Sequence, residues 1–217
     1  MDRIDGLFDD DVTVLSAPVD LRHEEALGPE ERAAIKKARE KRRREFATAR
    51  VLAKQGLDGY GVTGFQLLND ESRAPIWPDG IAGSVSHCDT RAFVALSERR
   101  RRTVGIDGEH RTELARRLWK MTMLPDEITT LERLPEAEAG RRALVMFSAK
   151  EALYKAQHPR TREYMEFAAL HVDARDDGTL RCTFQRDVGP IHKGYVAPGR
   201  WTQLASGETV TGVWIPE

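Results

Sequence analysis

Apolar and polar positions change rhythm several times along this chain, and each change predicts an element. The stretch "VTVLSAP" (12–18) reads as a strand. From Gly28 to Gly56, "GPEERAAIKKAREKRRREFATARVLAKQG" predicts one long helix, with Pro29 near its start, acids in its first turn and a glycine at its end. The stretch after it, "DGYGVTGFQLLNDESRAPIWPDGIAG", is rich in Gly, Pro and Asp and reads as loop and turn. "SVSHC" and "AFVALS" then alternate and, parted by "DTR", predict a β-hairpin, and "RRRRTVGIDGEH" opens a further strand. Thr112 to Lys155 is mostly helical, broken by Pro125 and Pro135. Beyond it "AALHVDA", "LRCTFQRD" and "TVTGVWI" return to alternation, with turns at "RDDG" and "SGE". The regular βαβα rhythm of a parallel sheet is missing, so the expected class is α+β with antiparallel sheets. The order helix, loop, strands occurs in each half, without an internal repeat legible residue by residue.

Composition narrows the class. A chain of 217 residues, 40% hydrophobic and 32% charged, can bury one large core or two small ones. The net charge of -1 hides segregation: "MDRIDGLFDDDV" is acidic, whereas "KKAREKRRREF" and "SERRRR" are basic. That balance argues against a general nucleic-acid binder and leaves room for a local anion site. No signal-peptide pattern and no apolar run of bilayer length is present, so a cytoplasmic protein is expected. Cys88 and Cys182 form neither a disulfide framework nor a CxxC metal spacing.

Charge placement then suggests chemistry. In "FSAKEALYKA", at about 100° per residue, Val145, Ala149, Ala152, Leu153 and Ala156 share one face. Lys150, Glu151, Tyr154 and Lys155 crowd the other with Phe147, a face expected to line a cleft because large aromatics seek cover. On the long basic helix, Arg42, Phe46 and Arg50 form a stripe that could clamp a phosphate. In "TVGIDGEH", Asp107 and Glu109 lie two apart, so an extended backbone turns both carboxylates to one side. Gly105 and Gly108 leave room for a close approach to that backbone. Two acids facing one space repel unless a cation intervenes, and all-oxygen ligands favour Mg²⁺ with substrate phosphates. Glu151 would supply a third carboxylate, while Lys150 and Lys155 meet phosphate oxygens. "GSVSHC" puts Ser84 and Ser86 on one face and His87 on the other. The G-x-S-x-G of a hydrolase nucleophile is absent and adjacent strand residues do not meet; a lone His is more often structural, and His87, beside serine hydroxyls at a strand end, could instead contact phosphate or ribose.

"WPDGIAGSVSHC", "VGIDGEH" and "FSAKEALYKA", in this order and at these spacings, resemble the 4′-phosphopantetheinyl transferases of the larger, single-chain type, the surfactin and enterobactin synthetase class. The resemblance extends to "KRRREFATAR" and to the tail "GRW...VTGVWI". It implies two similar α+β halves with antiparallel sheets related by a pseudo-twofold axis, 1–103 and 104–217, with the active cleft between them. It also implies the reaction: transfer of the phosphopantetheine arm of coenzyme A to a serine of an apo acyl or peptidyl carrier protein, releasing adenosine 3′,5′-bisphosphate, in polyketide, nonribosomal peptide or siderophore synthesis. Carried over by position, Asp107, Glu109 and Glu151 hold Mg²⁺, and Glu151, Asp107 and Lys155 are catalytic. Arg42, Arg50, Arg73, Ser86, His87, Lys150 and Lys155 contact coenzyme A, Arg73 matching a basic position found in some members. The serine's base is Glu151 or a water on the metal. Gly108 stands where a side chain is usual. Either "SERRRR" or the basic helix would face an acidic carrier, with plain solvent exposure the favoured reading of "SERRRR". A monomer that binds neither nucleic acid nor membrane is expected. A metal-dependent pyrophosphate hydrolase and a non-enzymatic binding module are the competing classes.

Overall fold

The computed structural model describes residues 2–98 and 101–217. Arg99 and Arg100, two of the four arginines of "SERRRR", lie outside the described residues. The first half runs β1 (Asp2–Arg3), β2 (Thr13–Pro18), α1 (Pro29–Ile35), α2 (Glu40–Asp58), β3 (Ile81–His87) and β4 (Arg91–Glu98). The second runs β5 (Arg102–Glu109), α3 (Trp119–Thr122), α4 (Pro125–Leu131), α5 (Glu136–Thr161), β6 (Leu170–Ala174), β7 (Thr179–Phe184), β8 (Val196–Gln203) and β9 (Thr209–Pro216). Two sheets result, ordered β1-β2-β4-β3 and β5-β9-β8-β7-β6, with every named pairing antiparallel. This is the expected α+β architecture.

Each sheet is backed by one long helix, α2 on the first and α5 on the second. Ala49, Leu52, Ala53 and Leu57 of α2 pack on Val94 and Leu96 of β4. Small residues of α5, Ala149, Ala152 and Ala156, share a core with Val172, Phe184 and Val213. Gly105 permits that closeness, since a Cβ there would sit 1.8 Å from the Ala152 carbonyl oxygen. What approaches its backbone is therefore the helix. A third apolar cluster joins the halves: Leu7 and Phe8 meet Phe93, Ile106 and Trp214.

Three sequence expectations change. The single helix over 28–56 is two, because the chain turns at Lys36–Arg39 and folds α1 back so that Leu27 and Ile35 close over Phe46 and Ala47. Burying that apolar cluster outweighs the helix propensity of a lysine- and arginine-rich run. Gly56 does not end α2 but lies inside it, where a Cβ would come within 2.4 Å of Leu96 Cδ1. Strand β8, "VAPGRWTQ", is an addition: Pro198 argues against a strand, yet it sits beyond the β9 ladder, which begins at Gly199, and pairs only with Arg181 of β7.

The halves meet at a seam that positions the site. β3 and β5, each the last strand of its sheet, lie side by side. The Ser84 hydroxyl accepts from Ile106 N at 3.0 Å and the Ser86 hydroxyl from Gly108 N at 3.3 Å. Serine side chains thus satisfy backbone donors that a ladder would otherwise use. Gly108 belongs to the same fit, for a Cβ there would press 2.3 Å from the Phe93 ring.

Candidate active site

Where the seam opens, a cleft of about 410 Å³ lies between α2, the 69–77 loop and β3 on one side and β5 and α5 on the other. Arg42, Arg50, Arg73, Ser86, His87, Asp107, Glu151 and Lys155 all line it, so residues spread over 114 positions are brought together. Cations gather toward the first half and acids toward the second.

The cationic wall is built on α2. The Arg50 guanidinium lies 3.8 Å over the Phe46 ring and donates to Leu67 O and Asn69 Oδ1, which anchors the 69–77 loop. Burial lowers its pKa to about 10, so it stays charged at neutral pH. Arg42 Nη1 lies 2.7 Å from His87 Nε2. Burial, with Arg42 and Lys155 adding repulsion, lowers the His87 pKa to about 4, and the ring is neutral at pH 7. A neutral ring accepting from Arg42 at Nε2 carries its proton on Nδ1, which faces Glu45 Oε2 at 3.5 Å. Arg73 is presented differently. Its φ of 67° places it in the left-handed region, inside a turn where Asp70 accepts from Ala74 N and from the Ser72 hydroxyl. Asp70 also pairs at 2.7 Å with Arg162, which caps α5 at φ 57°, so the loop is tied across to the second half. Trp77 lies against Gly83, where a Cβ would be 2.4 Å from the indole ring.

The acidic floor centres on Asp107, which is 6% exposed. Its Oδ1 accepts from Lys155 Nζ at 2.7 Å and from the Ser86 hydroxyl at 2.9 Å, and its Oδ2 from the Ser148 hydroxyl at 2.8 Å. Glu109 and Glu151 have no hydrogen-bond partner of this kind among the described residues. Burial raises the pKa of each above the ordinary carboxylate range, and the charge of Asp107 raises both further. Three mutually repelling carboxylates, with Lys155 paired to Asp107, are a donor set suited in chemistry to a hard divalent cation. Among the described residues, no three His, Cys, Asp or Glu side chains converge closely enough to ligate a metal ion as they stand. Lys155 supplies the counter-charge on Asp107 instead.

Glu109 is absent from the residues that line the cleft, standing half-buried at the end of β5, and two further expected cleft residues, Lys150 and Phe147, are elsewhere. Lys150 is 1% exposed and points into the second half. It donates to Glu127 Oε2 at 2.6 Å and to Thr122 O at 3.0 Å, while Glu127 accepts from Leu124 N and Val172 N. Lys150 therefore braces α3, α4 and β6 and meets no phosphate from this position. A helical wheel leaves it at the boundary of the apolar face, and the cover of α3 and α4 decides its side. Phe147 likewise packs on the same core, its ring 5.6 Å from Phe167. Sequence reasoning missed Glu45, Ser148, Glu127 and Thr211. Ser148 lay inside "FSAKEALYKA", Glu45 inside "KRRREFATAR" and Thr211 inside the tail "VTGVWI", so of these only Glu127 lay outside every quoted segment.

Comparison with known proteins gives a consistent account. The profile for the 4′-phosphopantetheinyl transferase N-terminal domain matches residues 30–97, and that for the 4′-phosphopantetheinyl transferase superfamily matches residues 103–200. The chain is 34% identical over 189 residues to the 4′-phosphopantetheinyl transferase Npt of Nocardia iowensis, covering 86% of this chain and 81% of that one. It is 35% identical over 189 residues to the 4′-phosphopantetheinyl transferase Svp of Streptomyces mobaraensis, covering 84% and 75%. Similarity to enterobactin synthase component D of Escherichia coli is 35% over 133 residues, covering 59% and 61%.

Proposed function

The chain belongs to the 4′-phosphopantetheinyl transferases, and from that premise we propose that its cleft takes coenzyme A and passes the phosphopantetheine arm to a serine of an apo acyl or peptidyl carrier protein. The serine oxygen attacks the β-phosphorus, the bond to the nucleotide breaks, and adenosine 3′,5′-bisphosphate leaves. The observation that carries this reading is the polarity of one cleft, with Arg42, Arg50, Arg73 and neutral His87 at one end and Asp107, Glu151 and Lys155 at the other. The cationic end suits the 3′-phosphate and nucleotide, and the acidic end, through Lys155 and a divalent cation held on its carboxylates, would suit the pyrophosphate where the bond breaks.

Asp107, Glu109 and Glu151 would hold Mg²⁺. When bound, the ion would offset the charge of the pyrophosphate and stabilise the departing nucleotide. The chain's own groups do the rest. Lys155 donates to phosphate oxygens from its place beside Asp107, and the Arg42–His87 pair orients the nucleotide. Glu151, which lines the cleft beside Lys155, is the chain's own group suited to take the serine proton. Both halves contribute to the one cleft, which supports action as a monomer. Among the described residues no helix is long and apolar enough to cross a membrane, and we place the enzyme in the cytoplasm with carriers as its macromolecular partners, not nucleic acid or membrane. Polyketide, nonribosomal peptide or siderophore assembly would supply those carriers.

The test is intact-protein mass spectrometry of an apo carrier incubated with the enzyme, coenzyme A and Mg²⁺, with EDTA as control. The carrier gains the mass of one phosphopantetheine arm, the gain is lost with EDTA, and Asp107→Ala abolishes it. Coenzyme A cleaved steadily without any carrier would replace this reading with a hydrolase.

A further inference from the structure

Asp107 and Thr211 are directly paired across β5 and β9, so their side chains share the sheet face on which α5 packs. Ser148 of α5 drops between them, its hydroxyl 2.8 Å from Asp107 Oδ2 and 2.9 Å from Thr211 Oγ1. Ser148 and Thr211 are both 0% exposed. A serine has one hydroxyl proton, and an ionised carboxylate can only accept, so Ser148 donates to Asp107 and Thr211 donates to Ser148. The chain of hydroxyls therefore has one direction.

We propose that Ser148 and Thr211 are positioning residues that fix the orientation of Asp107 in the cleft, an inference that rests on the functional reading above. Neither faces the cleft, so neither touches substrate. Their effect follows from where the other donors lie: Lys155 and Ser86 both pull on Oδ1, and among the described residues only Ser148 is bonded to Oδ2. Without Ser148 the carboxylate is held from one side and rotates toward Lys155. With it, both oxygens are fixed before any ligand arrives, and outer partners of this kind are worth about 10–100-fold in metal affinity or activity. Thr211 stands one bond further out and acts by orienting the Ser148 hydroxyl.

The experiment measures Mn²⁺ binding to the enzyme in the presence of coenzyme A by electron paramagnetic resonance, beside carrier-modification kinetics and thermal melts of each variant. Ser148→Ala weakens Mn²⁺ by about 10–100-fold. Thr211→Val, isosteric but without the hydroxyl, weakens it by a smaller factor, while Thr211→Ser retains wild-type affinity. Unchanged affinity in a folded Ser148→Ala or Thr211→Val protein would overturn the proposal, as would equal losses in Thr211→Val and Thr211→Ser, which would mean that packing rather than the hydroxyl matters. Should Ser148→Ala fail to fold, the Thr211 pair decides. A wild-type enzyme that neither binds Mn²⁺ nor modifies a carrier would instead sink the functional reading, and the proposal with it.

Discussion

Lys150 and Lys155 stand five residues apart on α5, each ion-paired to a carboxylate, yet the two pairs answer to different physics. The Lys150–Glu127 pair has both side chains 0% exposed and every other contact of the ammonium goes to a backbone carbonyl. In the Lys155–Asp107 pair the side chains are 26% and 9% exposed, and Lys155 also reaches Ser86 at the cleft. Burial pushes the Lys150 ammonium below its ordinary range, with Glu127 opposing that drop. A sealed pair must be complete or the interior holds a bare charge. An open pair can exchange one partner for a ligand, and this is what a site requires.

The largest effect should come from breaking the sealed pair. Lys150→Met strands the Glu127 charge and is expected to cost about 3–5 kcal/mol in urea unfolding, with carrier modification per folded molecule retained. Adding Glu127→Gln removes the stranded charge and recovers part of the loss. Wild-type stability in Lys150→Met would break the comparison. Lys155→Ala should do the reverse: a smaller loss in unfolding than Lys150→Met, because Asp107 keeps the Ser86 and Ser148 hydroxyls as donors, but a fall of about 100- to 1000-fold in the transfer rate. The smallest effect sharpens the contrast through its sign. Glu151 has a raised pKa in the fold, so above that value its charge is costlier in the native state than in the unfolded chain. Glu151→Gln should therefore raise the melting temperature of the unliganded protein at pH 7 by a few degrees, with the gain fading as pH falls through the raised pKa and gone below the ordinary carboxylate pKa of 4.5. Glu127→Gln, which deprives Lys150 of its partner, should lower the melting temperature at pH 7. Like signs in the two variants would contradict the distinction.

What could be read from the sequence was local. Alternation in "SVSHC" and "AFVALS" marks a hairpin because strand period depends on adjacent residues alone, and the same rule turns Asp107 and Glu109 to one side. Helical spacing also picked out Arg42, Arg50 and Lys155, and the family resemblance added Arg73; all four do meet in the cleft. Reasoning failed where a distant segment decides the outcome. Lys150 sits at a helical boundary and Glu127, 23 residues earlier, settles which way it goes. The break at Lys36–Arg39 is set by Leu27 and Phe46 closing on Ile35. The hydroxyl chain to Asp107 needs Thr211, contributed by a strand 63 residues beyond Ser148.

The serine seam has a consequence beyond the site. An outermost strand normally presents a row of free backbone donors and acceptors on which another chain can add itself, the usual start of edge-to-edge aggregation. Here β3 and β5 face each other, and Ser84 and Ser86 occupy the amides of Ile106 and Gly108. Each half thus guards the adhesive border of its neighbour, and a protein built from two sheets conceals two of its four strand borders without closing a barrel.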